Sequence, residues 1–153
     1  MNLVGNNMNS PEELKEALAG NEDAYRFCTT FVSHCHVLDD IIDRDKPITD
    51  EQLIESEMQM MVVLVANPFF VENRTYLMPL IIQAFNAWLD SNKWEKSDDE
   101  KLQRASDVLK GYYHEVVYGA IYLCTGYGGL RKATSDNREY DFDFVKKTKG
   151  EGE

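Results

Sequence analysis

Residues 21–43 read NEDAYRFCTTFVSHCHVLDDIID, and the reading of this stretch decides the fold. At about 100° per residue, Ala24, Cys28, Phe31, Cys35, Leu38 and Ile42 fall on one stripe, the signature of a helix with one buried face. Asn21 stands where an N-cap belongs, and Pro47 lies beyond the far end near Asp43. Upstream, Ser10-Pro11-Glu12-Glu13 supplies an N-cap, a proline at the first helical position and a capping-box Glu, and Gly20 stops that helix. Downstream, Thr49-Asp50-Glu51-Gln52 is a second capping box, opening a segment that ends at Asn67-Pro68. The next periodic stretch spans Glu72 to Leu89, with Pro79 either kinking it or marking its first turn. Ser97-Asp98-Asp99-Glu100 heads a last helix to about Cys124, striped by Leu102, Ala105, Leu109, Tyr112, Tyr113, Val116, Ala120 and Cys124. Gly126, Gly128 and Gly129 are its stop signals.

Nothing before residue 138 alternates with period two, and no linker splits the chain. The expected fold is all-α: a single antiparallel bundle of about five helices over residues 1–130, because each apolar stripe needs a partner. Residues 131–153 are expected to form a C-terminal tail, partly extended or disordered. Within it Tyr140-Asp141-Phe142-Asp143-Phe144-Val145 alternates aromatic and acidic residues. That spacing suits an extended segment packed on the bundle, or a docking peptide for a protein partner.

Composition narrows the function classes. The 153 residues carry 16 Lys plus Arg and 27 Asp plus Glu, a net charge of -11. Residues 1–60 hold 13 acids and 4 bases, and the remainder 14 and 12. A pI near 4.7 argues against nucleic acid or anionic lipid as the main ligand, since both need a basic footprint, and is compatible with cations. Cys28, Cys35 and Cys124 read as reduced, buried thiols. The first residues lack the basic and apolar runs of a signal peptide, and the longest apolar run, Met60 to Ala66, is too short to span a bilayer. A soluble, cytoplasmic protein is expected.

The chemistry-bearing segment is His34-Cys35-His36-Val37-Leu38-Asp39-Asp40-Ile41-Ile42-Asp43-Arg44-Asp45. Taking the apolar stripe as 0°, Asp39 lies near 60°, Asp43 near 100°, His36 near 120° and Asp40 near 160° on a 100° wheel. They form a polar band along one rim of the buried face. Like charges on neighbouring turns repel, and the helix C-terminus disfavours anions by a further ~0.3–1 kcal/mol. A bound cation reverses both penalties, and Mg²⁺ favours one or two carboxylates together with substrate phosphate oxygens.

Leu38-Asp39-Asp40-Ile41-Ile42-Asp43 resembles the first aspartate-rich motif, DDxxD, of the isoprenyl diphosphate and class I terpene synthase superfamily. Those enzymes are all-α bundles in which the motif binds Mg²⁺ and, through it, a diphosphate. The resemblance implies Asp39, Asp40 and Asp43 as metal ligands; the superfamily's second metal-binding motif has no counterpart in this chain. Asp40-x-x-Asp43 is also similar to one carboxylate pair of the MazG-like all-α nucleotide pyrophosphatases. Glu51, Glu55 and Glu57 would be candidates for that family's other pair.

His36 and His114 are the proton-transfer candidates. His114 lies about 120° from its own stripe centre on the same 100° wheel, so the two could face each other across the bundle. With Glu115 beside it, His114 also invites a transition-metal reading. Two functions follow. The first is a small bundle with an acidic divalent-cation site (Asp39, Asp40, Asp43; Mg²⁺) that binds or hydrolyses a diphosphate-containing ligand. The second is a non-catalytic adaptor or assembly protein acting through its bundle surface and the Tyr140–Val145 tail. Met58, Met60, Met61, Val62, Val63 and Leu64 make the third helix apolar nearly all round. That favours burial on two sides, centrally or in a homodimer.

Overall fold

The computed structural model describes residues 10–139; the Tyr140–Val145 segment lies outside the described residues. Six helices follow one another: α1 (Pro11–Ala17), α2 (Glu22–Asp43), α3 (Asp50–Ala66), α4 (Pro68–Glu95), α5 (Glu100–Lys110) and α6 (His114–Asn137). A 3-10 turn, Gly111–Tyr113, joins the last two. No strand occurs among the described residues, and the protein is an all-α helical bundle.

The helix starts are set by side chains that satisfy exposed backbone amides. Ser10 Oγ accepts from the amide of Glu13, Asn21 Oδ1 from that of Ala24, and Thr49 and Gln52 form the expected reciprocal box. Asp99, rather than Ser97, caps α5; Ser97 instead accepts from the Asp99 amide. Asn67 does three jobs at once. It ends α3, its Oδ1 accepts from the Phe70 amide to start α4, and its Nδ2 donates to the Asp23 carbonyl at the head of α2. With Pro68 set at the first helical position, α3 and α4 meet at 90°. The connection is therefore a corner, where an antiparallel return was expected. No single helix among the described residues is long and apolar enough to cross a membrane.

Two further departures come from local geometry. Helix α4 starts at Pro68 and runs through Pro79 without ending there, because Pro79 lies on its exposed side. The expected last helix is divided by the 3-10 turn after Lys110, and it breaks where the glycines foretold. Gly126 takes φ 73°, ψ -169°, a conformation essentially open only to glycine. Beyond it the chain is helical again as far as Asn137, so residues 131–137 do not begin an extended tail. Glu115 and Arg138 form an ion pair at 2.6 Å, although a straight helix would hold them ~35 Å apart. Gly126 thus turns α6 back on itself as a helical hairpin, and a side chain at Gly129 would collide with Thr125 in its bend.

The core gathers on α2. Phe27 stacks on Phe70 (centroids 5.4 Å) and Phe31 (6.2 Å), and Leu14, Leu18, Leu77, Val116, Val117 and Ile121 are fully buried around them. The stripe predicted for α2 is buried at Ala24, Cys28 and Phe31, half-buried at Cys35 and Leu38, and exposed at Ile42. The last two turns of α2 therefore run out of the core.

Gly126→Ala should destabilise the fold by about 1–3 kcal/mol, the cost of forcing a side chain into this backbone region. Chemical denaturation should show it as a lower midpoint at unchanged m-value.

Candidate functional site

Where α2 leaves the core, the charge of Lys110 acts on its carboxylates and Tyr113 of the 3-10 turn reaches His36. Lys110, the last residue of α5, donates to Glu95 Oε1 at 2.8 Å, at the end of α4. Its charge also acts on Asp39 and Asp43, and these three carboxylates overcome the cost of burial and raise its pKa. One ammonium thus serves carboxylates from two helices. Asp39 shows the consequence. Burial first, and Asp43 second, push its carboxyl up to about 6; Lys110 opposes them, while Asp40 and Asp45 add to the rise. Neighbouring Cys35 is pushed up to about 12 by burial and by Asp39, so its thiol stays protonated and unreactive at neutral pH.

The histidines expected to face one another are brought to the same place. Tyr113, from the 3-10 turn, touches both. Its Oη lies 3.4 Å from His36 Nε2, and its ring centroid lies 4.1 Å from that of His114. Burial lowers the His36 pKa, with Asp40 opposing and Lys46 assisting. His114, buried, is lowered to about 3 by burial and then by His36, so it is neutral throughout the physiological range. That makes His36 the better placed of the two to exchange a proton with a ligand. His114 backs Tyr113. Glu115, beside His114 in sequence, pairs with Arg138.

The expected site residues are therefore gathered at one end of α2, but they do not form a closed cage. Among the described residues no three His, Cys, Asp or Glu side chains are grouped so as to hold a metal ion. The glutamates considered as a second carboxylate set serve other ends. Glu55 accepts from Gln59 on its own helix, and Glu57 lies 3.6 Å from His34 Nε2. The charges acting on Asp39 include neither of them.

His34 went unassigned in the sequence, yet it is buried and its Nδ1 lies 3.0 Å from Ser56 Oγ. Serine, histidine and glutamate in this chain suggest a hydrolytic triad, but Ser56 sits inside α3. There the backbone amides are spent within the helix and offer no oxyanion hole. The trio pins α3 to α2. Lys110 and Glu95 carry no signal in the sequence, whereas Tyr113 is legible there only as part of a helical stripe. Pairing across 15 residues or more leaves no local mark, although the Lys110-Gly111-Tyr112-Tyr113 break was a usable hint.

Against known proteins, the chain matches no family model, no curated protein and no solved structure. What defines its class is accordingly the fold and site themselves: an all-α bundle with a half-buried acidic cluster at the exposed end of its central helix.

Because the Asp39 pKa is raised on folding, Asp39 costs stability as pH rises from its ordinary value of about 4 through 6. Asp39→Asn should therefore stabilise the protein above pH 6, by roughly 1 kcal/mol once solvent screening of a half-buried group is allowed for. The gain should vanish below pH 4, which thermal unfolding at the two pH values will check.

Proposed function

We propose that the acidic end of α2 binds a diphosphate-containing ligand through Mg²⁺, with Asp39 and Asp43 as first ligands and Asp40 beside them. The observation that carries this reading is the environment of Asp39: a half-buried carboxyl raised by burial first and by three like charges, with Lys110 as the cation opposing them. Such a concentration of shifted groups in one place is the electrostatic mark of a functional site. That no three His, Cys, Asp or Glu side chains are grouped to hold a metal among the described residues is compatible with this ion. Mg²⁺ keeps several waters and is held by one or two carboxylates plus substrate phosphates, in contrast to a dedicated protein cage.

The chain's own residues would divide the work. Asp39 and Asp43 would supply hard oxygen donors for the ion, and Lys110 would limit the net negative charge the diphosphate must approach. His36, neutral and in reach of the Tyr113 hydroxyl, is the group that could accept a proton from a water attacking phosphorus and, once protonated, pass it to the departing oxygen. Mg²⁺, when bound, would supply charge neutralisation to the phosphate.

The second reading is a non-catalytic assembly protein acting through its bundle surface. It is favoured by a separate observation, the row of exposed apolar side chains on α3.

Unfolding should be followed with Mg²⁺ alone, pyrophosphate alone, and both together, for wild type and an Asp39→Asn/Asp40→Asn variant. Mg²⁺ alone should shift wild type little. Both together, at about 100 times the dissociation constant, should add about 2.7 kcal/mol, and the variant should lose this gain. A shift of equal size in the variant, or none in wild type, would sink the diphosphate reading.

A further inference from the structure

Helix α3 has two apolar faces. Met60 and Val63 are buried on one, where Ser56 also reaches His34. On the opposite side Ile54, Met58, Met61, Val62 and Val65 are 56, 55, 58, 63 and 79% exposed. Measured from Ile54 at about 100° per residue, these five fall within a ~100° sector, and Val63 lies directly opposite at 180°. Four of them, Ile54, Met58, Met61 and Val65, are spaced four, three and four, the seam of a two-helix packing.

We infer that this seam packs against α3 of a second copy of the chain, antiparallel about a two-fold axis. The inference rests on the assembly reading above and names the occupant of that surface. The spacing reads the same in both directions, as an isologous contact requires. Centred between Gln59 and Met60, it sets Ile54 level with the partner's Val65, and Met58 level with the partner's Met61. Charge selects the same arrangement. Helix α3 carries Asp50, Glu51, Glu55 and Glu57 in its first half, and no charged residue from Met58 to Ala66. Antiparallel pairing sets Glu55 level with the partner's Leu64 and Glu57 level with the partner's Val62, so no acid opposes an acid. Parallel pairing would stack every acid on its twin.

The area is sufficient. The five side chains expose on the order of 500 Å² of apolar surface, near the upper range for the largest patch on a monomer. Two copies together would bury about 1,000 Å², the threshold for a specific interface. A bilayer is a poorer occupant, because a membrane-surface helix carries Lys and Arg beside its apolar face and α3 has neither.

Sedimentation equilibrium on the full chain tests this, with Met61→Glu and Val65→Lys as variants at exposed positions and circular dichroism to verify their folding. Wild type should sediment as a dimer. Either folded variant should dissociate on the order of a hundredfold more readily, because each buries a charge in the seam. A monomeric wild type overturns both the dimer and self-assembly, and if that monomer floats with phosphatidylcholine vesicles the occupant is lipid. A dimeric wild type whose folded variants remain equally dimeric overturns the α3 seam and leaves assembly through another surface standing.

Discussion

The structure turns on a mismatch of lengths. Helix α2 is 22 residues, ~33 Å at about 1.5 Å per residue, and the aromatic core around Phe27 covers its first half. Because that half is locked among Phe31, Phe70 and the helices of the hairpin, the second half must project along the same axis. There its stripe no longer finds apolar partners. What meets it is Lys110, fixed by Glu95 at the end of α4. A single ammonium at the junction of α2, α4 and α5 compensates carboxylates that would otherwise repel one another beside a helix C-terminus.

That compensation is incomplete, and the proposed cation site rests on this. Asp39 keeps a raised pKa even with Lys110 acting on it, because burial and three aspartates outweigh one cation. A stability-driven sequence would relieve this with an asparagine or a second base. On the proposed reading the charge is kept for an arriving cation, and His36, on the same helix, has the Tyr113 hydroxyl 3.4 Å from its Nε2. The mismatch has a counterpart in α3, which is pinned to α2 by His34, Ser56 and Glu57 on one face and leaves an apolar face outward on the other.

Local rules made most of the fold legible. The caps at Ser10, Asn21 and Thr49 depend on side chains within three residues of the amides they satisfy, so the sequence alone locates them. Gly126 was readable as a helix stop because its backbone conformation excludes other residues. The helix after it was not, since Gly128 and Gly129 look like more of the same stop, and what holds residues 127–137 is tertiary, including the Glu115–Arg138 pair. The same division runs through the site. Asp39, Asp40, Asp43 and His36 share one helix and announce their proximity by spacing. Lys110, Glu95 and Tyr113 reach them across the fold, and only the packing of α4 and α5 brings them there.

The most direct measurement is an NMR titration of the Asp39 side-chain carboxyl, in the free protein and with Mg²⁺ plus pyrophosphate. The account predicts a midpoint near 6 in the free protein and a marked fall when the ion and the diphosphate are present, because a bound cation favours the charged form. A midpoint at the ordinary aspartate value, or one that does not move on addition of both, would contradict it.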